Sequence, residues 1–266
     1  MRSRCLVVPA VLAGLLAGSV PDAASAHQQV GTPSAAQAAA RTAARAATAT
    51  PAAARGTLVA LYGFDDARSG SIIDESGNGH TLRLITGNGG RVRMVRHGAG
   101  RALRFPAKCS DRKHCPHAAL QSPSAANLNP GTRPISYGAK VLLSHRQTSK
   151  GQNVVQKGYS ATSSQYKLQV DGVAGRASCV LVGARPGIKL VTSTVSVADG
   201  TWHEVECRRS ARALTVLVDG AVRGNRTISA SLSVANDRPL SIGGKGAYSD
   251  NDQFQGILDD VWVRIG

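Results

Sequence analysis

An all-β antiparallel sandwich or barrel, preceded by a disordered or weakly helical N-terminal segment, is the fold class this chain predicts. Three observations carry that expectation. Apolar and polar residues alternate in several short runs, and Gly, Asn, Asp and Pro punctuate them, with 29 glycines and 11 prolines in 266 residues. No segment shows a sustained helical stripe, so strands rather than helices must bury the apolar side chains.

The first residues read as an export signal. Arg2 and Arg4 form a basic start, the stretch from Leu6 to Leu16 is mostly apolar, and Ala24-Ser25-Ala26 is a small-residue cleavage site. A membrane span needs about 20 apolar residues, and Pro21 and Asp22 interrupt too early for one. The expectation is a signal peptide over 1–26, a secreted location, and loss of Cys5 with the leader. Residues 27–55 are dominated by alanine, broken by Pro33 and Pro51, with almost nothing large to bury. They read as a low-complexity spacer.

From residue 56 the pattern changes. Leu58, Ala60, Tyr62 and Phe64 alternate with their neighbours, as do Ile135, Tyr137, Ala139, Val141 and Leu143. Tyr166, Leu168 and Val170 precede a turn at Asp171-Gly172. Leu214, Val216 and Val218 lead into Asp219-Gly220, a two-residue hairpin signal. Trp202 and Trp262 lie within strand patterns and are expected in the core. Residues 56–266 are the right size for one such domain.

After the leader four cysteines remain, Cys109, Cys115, Cys179 and Cys207, an even number for an oxidising compartment. Two disulfides are expected. Three pairings are open, and proximity favours Cys109 with Cys115 and Cys179 with Cys207. His114 and His117 flank Cys115 and offer zinc as the alternative, although the Cys-x-x-Cys pairs typical of zinc sites are missing. The formal net charge of +16 favours acidic partners, and arginine-rich coding is the plainer account of it. No nucleic-acid reading motif appears.

Several stretches, taken in order, resemble a known family. Leu61-Tyr62-Gly63-Phe64-Asp65, then Asp74-Glu75-Ser76-Gly77-Asn78-Gly79-His80, resembles the opening of laminin G-like, concanavalin A-like jelly rolls. Gly100-Arg101-Ala102-Leu103-Arg104-Phe105 is similar to the next strand. Asp199-Gly200-Thr201-Trp202-His203-Glu204-Val205 resembles the Trp-His-x-Val strand, with Leu217-Val218-Asp219-Gly220 as the hairpin after it. Phe254-Gln255-Gly256-Ile257-Leu258-Asp259-Asp260-Val261 resembles the closing strand. The match covers roughly residues 57–266 and implies an antiparallel jelly-roll β-sandwich, with a strand-to-strand bridge between Cys179 and Cys207. In such a fold the first and last strands commonly lie side by side. That adjacency would bring Asp74 and Asn78 near Asp259, and the resemblance implies a structural calcium there, since calcium takes six to eight oxygens. The alternative is that Ser76-Gly77-Asn78-Gly79 is a plain tight turn.

The same fold hosts glycoside hydrolases, which need two carboxylates about 5–10 Å apart across a cleft. Glu75, Glu204 and Glu206 are the only glutamates, and no Glu-x-Asp-x-x-Glu motif appears. Glu204 and Glu206 share a strand face beside Arg208 and Arg209, which reads as surface ion pairing. Sugar binding calls for an exposed aromatic platform. Tyr159, between Gly158 and Ser160, and Tyr248, in the glycine-rich loop 243–252, are the candidates. The expected function is a secreted, non-catalytic binding or adhesion module for a glycan or an anionic wall polymer. The alternatives are a glycoside hydrolase of this fold or a purely structural surface domain.

Overall fold

The computed structural model describes residues 56–65, 70–111, 114–161, 164–183 and 187–266. The expected leader over 1–26 and spacer over 27–55 lie outside the described residues.

Sixteen strands follow one another: β1 (Thr57–Tyr62), β2 (Ser71–Ile72), β3 (Leu82–Gly87), β4 (Arg93–His97), β5 (Gly100–Arg104), β6 (His117–Ser122), β7 (Ile135–Ser144) and β8 (Gly151–Gly158), then β9 (Gln165–Asp171), β10 (Arg176–Val182), β11 (Ile188–Ser196), β12 (Asp199–Arg209), β13 (Ala213–Val218), β14 (Ala221–Thr227), β15 (Leu240–Ile242) and β16 (Ile257–Ile265). Two short 3₁₀ turns, Ala126–Leu128 and His145–Gln147, are the only helical pieces among the described residues. Sheet 1 runs β14-β13-β12-β7-β16-β5-β4, with β1 also paired to β16, and sheet 2 runs β11-β10-β9-β8-β15-β6-β3-β2. The chain is therefore an all-β antiparallel sandwich of the jelly-roll kind.

The alternating runs explain the layering. On β7, Ile135, Tyr137, Ala139, Val141 and Leu143 are all buried. They face Tyr166, Leu168 and Val170 of β9 and Ala177, Cys179 and Leu181 of β10 in one core cluster. The Asp219-Gly220 hairpin forms as its sequence requires, with φ of 53° and 74° at its two central residues. Cys179 of β10 bonds to Cys207 of β12 and ties the two sheets together, while Cys109 and Cys115 close a small loop before β6. The thiol that a zinc site would need at Cys115 is thus consumed.

Strand β16 organises sheet 1. One edge pairs with β7 along most of its length; the other is shared end to end, by β1 opposite Val261–Ile265 and by β5 opposite Ile257 and Leu258. A register shift between Asp259 and Trp262 accommodates the change, with Asp260 at φ 44°. Asp65, just after β1, accepts a bond from the Arg101 amide at 2.6 Å and joins the two strand ends.

The expectation for the tryptophans is corrected. Trp202 and Trp262 are half-buried rather than core, because their registers, Trp202 opposite Leu142 and Trp262 opposite Gly138, place them on the outward side of sheet 1. Trp262 lies over Gly138, where a Cβ would stand 2.9 Å from the indole. Trp202 stacks on His97 with ring centroids 4.0 Å apart. Each indole buries one face on the sheet and keeps an edge in solvent.

Candidate binding face

Strand alternation places Gln165, Lys167 and Gln169 on the side of sheet 2 away from the core. Strand registers then align one residue per strand into a row: Arg83, Gln121, Ser241, Gln156, Lys167, Val180 and Leu190. An outward polar row would ordinarily be wet. Here Gln156, Lys167 and Ser241 are 2%, 8% and 2% exposed, because the segment following β15 folds over them.

That segment, residues 243–253, is held by its own amides and by the sheet. Gly243 turns at φ 75°, and a side chain there would run into the Phe105 ring. Asn251 is buried and donates to the Gly246 carbonyl at 2.9 Å, while its Oδ1 lies 3.2 Å from His117 Nδ1. Gln253 Oε1 accepts from the Ala118 amide at 2.7 Å, and the Asp252 carbonyl accepts from the Asn153 amide at 2.8 Å. The Lys245 carbonyl takes a bond from Gln121 Nε2 at 2.8 Å. Asp252 then stands between two cations, Lys167 and Lys245, each at 2.9 Å. Burial alone would raise its pKa, but the two ammonium groups hold the carboxyl below the usual range.

Tyr159 and Tyr248 come together at this loop. The Tyr159 hydroxyl donates to the Lys245 carbonyl at 3.4 Å, and the Tyr248 phenol lies beside it. Burial first, then the neighbouring Tyr159, Asp250 and Asp252, push the Tyr248 phenol up. Tyr248 still leaves 49% of its surface exposed, and the Arg238 guanidinium lies 5.9 Å from the centre of the Tyr159 ring. Beneath the loop, both amide atoms of Asn153 and the Oε1 of Gln156 are buried without a hydrogen-bond partner among the described residues. An aromatic edge and cations thus share one rim, with the amides sheltered beneath it, and an aromatic edge with nearby polar groups is the inventory that recognises hydroxylated ligands. The sequence named the two tyrosines but missed the amides. Alternation of Gln165, Lys167 and Gln169 was the available signal, and only the covering loop shows that these groups are sheltered.

Asp74, Asn78 and Asp259, expected to hold calcium, each have protein partners. Asp74 Oδ1 accepts from the Leu61 and Ser76 amides and Oδ2 from the His80 amide, each at 3.0 Å. Burial opposes its charge, yet bonds from Ser76, His80 and Leu61 hold its pKa below the usual value. Asn78 Nδ2 donates to the Leu58 carbonyl at 3.2 Å and to Ser76 Oγ at 2.9 Å. Asp259 takes a bond from the His97 ring and another from the Asp260 amide, and burial raises its pKa. Among the described residues no group of three or more His, Cys, Asp or Glu side chains is arranged to hold a metal ion. The carboxylates considered for catalysis lie on sheet 1 or at its edge. Glu206 pairs with Arg208 at 2.9 Å, Glu204 stands exposed on the same strand, and Glu75 accepts from the Gly63 amide at 2.8 Å.

Solved structures share this architecture. The binding domain of Paraclostridial Mosquitocidal Protein 1 aligns with a TM-score of 0.59 at 15% identity, covering 78% of this chain and 48% of that one. Domain 4 of AbnA, a GH43 extracellular arabinanase from Geobacillus stearothermophilus in complex with arabinotriose, aligns with a TM-score of 0.59 at 14% identity, over 80% of this chain and 94% of that domain. The binding domain of botulinum neurotoxin DC in complex with SialylT aligns with a TM-score of 0.55 at 8% identity, over 78% and 48%. The chain thus spans about half the length of the two toxin domains. These likenesses concern the fold, and the fold relatives are mostly binding domains rather than catalytic ones. No curated protein matches the chain in sequence. The family model described as the concanavalin A-like lectin/glucanases superfamily matches residues 117–264, more than half of the chain, and the chain belongs to that superfamily.

Proposed function

We propose that the chain is a secreted, non-catalytic binding module that holds a glycan or an anionic cell-surface polymer on the outward face of sheet 2. The observation that carries this reading is the exposed ring of Tyr248 beside Tyr159, with Lys245 and Arg238 at the same loop. Sugars present apolar ring faces flanked by hydroxyls, so they match an aromatic edge next to charged and polar groups. That known fold relatives include a domain described in complex with arabinotriose and one in complex with SialylT supports a carbohydrate ligand. A glycan array identifies the chain bound. Calorimetry with the best glycan then compares wild type with Tyr248→Ala, for which affinity should fall about tenfold, or about 1.4 kcal/mol. Unchanged affinity in that variant would sink this reading.

Structural calcium through Asp74, Asn78 and Asp259 is a separate proposal, tested by melting the protein in chelator and in calcium. A melting temperature that rises with free calcium, and no longer does so in Asp74→Asn, assigns the ion. Equal melting leaves Asp74 as an acceptor for three backbone amides.

A further inference from the structure

We infer that the β4–β5 hairpin forms a pocket for the oxyanion groups of a polymer, separate from the tyrosine rim. In the antiparallel register of this hairpin Arg93 stands directly opposite Arg104, and Arg96 directly opposite Arg101. Directly opposed residues have Cβ atoms about 4.5–5.5 Å apart, and like charges at that spacing repel. A fold that needed only solubility would alternate signs here. Arg93 and Arg104 are exposed and, with Arg91 just before β4, line a surface pocket of about 360 Å³ together with Phe105, Gln147 and Gln255.

No carboxylate pairs with Arg91, Arg93 or Arg104 among the described residues, in contrast to Arg208, which Glu206 neutralises, and buried Arg209, which donates to the Gly131 and Leu232 carbonyls. Gln147 and Gln255 close one side of the recess, tied together by the Gln147 Nε2 bond to the Gln255 carbonyl at 2.5 Å. Three guanidinium forks around one recess supply paired N–H donors of the geometry that sulfate, phosphate and carboxylate oxygens accept. The hairpin is firmly seated: Leu103 is core and Met94 packs against it, so the forks are displayed on rigid strands.

This inference rests on the reading of the chain as a polymer-binding module and gives that module an anion-reading site. The test measures binding of dextran sulfate, a poly(glycerol phosphate) and polygalacturonate by calorimetry at fixed ionic strength, and the tightest of the three identifies the oxyanion. Arg93→Ala/Arg104→Ala should weaken that polymer at least tenfold. Arg93→Lys/Arg104→Lys should recover only part of the loss, because the charge returns without the fork. The charge-matched control is Arg212→Ala/Arg223→Ala, on exposed positions around β13 and β14 at the opposite edge of sheet 1, and it should bind as wild type. Equal losses in both alanine pairs, full recovery with lysine, no loss in Arg93→Ala/Arg104→Ala, or no binding of any of the three polymers overturns the pocket. Tyr248→Ala is run in parallel: neutral-glycan binding that depends on Tyr248 but not on the arginines keeps the module and removes only this site.

Discussion

On the outward face of sheet 1, Lys140 pairs with Asp260 and Arg208 with Glu206, and Lys140, Asp260 and Arg208 keep between 41% and 45% of their side-chain surface in solvent. On the outward face of sheet 2, Lys167 and Lys245 share Asp252, and these side chains keep between 10% and 23%. The contacts have similar lengths, but their surroundings differ. Water screens the first set, and the loop 243–253 excludes much of it from the second. The two pairs on sheet 1 are closed on themselves, whereas under the loop of sheet 2 lie amide atoms with no partner among the described residues. Buried polar groups are rarely left so.

The Cys179–Cys207 bridge holds the two faces back to back across the core, and removing it should cost most. With the cysteines 28 positions apart in sequence, loop-closure entropy gives about 3.5 kcal/mol, so thermal melting of Cys179→Ala/Cys207→Ala should show the largest loss of any variant described. Next comes Asp252→Ala, which leaves Lys167 buried without its partner and should cost about 3 kcal/mol in a denaturant melt. The matching change on sheet 1, Asp260→Ala, should cost less than about 1 kcal/mol after screening. Equal costs for the two aspartates would erase the distinction between the faces.

The smallest effect belongs to pH. His203 Nδ1 donates to Asp219 at 2.8 Å and Nε2 to Asp199 at 3.2 Å. Burial pulls against the imidazolium, but the two carboxylates outweigh it and raise the pKa of His203 above its ordinary 6.5. The folded state therefore holds this proton more tightly than the unfolded chain. The stabilisation is complete below the unfolded pKa of about 6.5 and is lost as pH rises through the higher folded value. Both aspartates are about half exposed, so screening keeps the effect below about 1 kcal/mol. Denaturant melts between pH 6 and 8.5 should show stability declining in wild type and staying flatter in His203→Gln.

Much of this was legible in the sequence, for identifiable reasons. Alternation marks strands whenever one face is buried, so Ile135 to Leu143 and Tyr166 to Val170 read correctly, and Asp219-Gly220 announced its turn. The tryptophans were misread because a large aromatic side chain in a strand can lie flat on the outward face, as Trp262 does over Gly138. No local pattern carries that choice; the glycine one strand away makes the space. Tyr159, beside Gly158, and Tyr248, in the glycine-rich loop 243–252, were named from their settings in the sequence; Tyr248 is exposed and Tyr159 half-buried. The amide floor beneath them was not named, since Gln and Lys on alternate positions look like any wet strand until a distant loop closes over them.

Strand β16 carries a consequence for how the molecule comes into being. It lies in the middle of sheet 1 yet is the last strand in chain order, and its partners β1, β5 and β7 lie far earlier in the chain. Until residues 257–265 are available, β7 has an open edge and β1 has no partner, so sheet 1 cannot close piecewise as the chain is made. Such long-range pairing slows folding, and an open edge invites pairing with other chains. Folding of sheet 1 is therefore completed by its final segment.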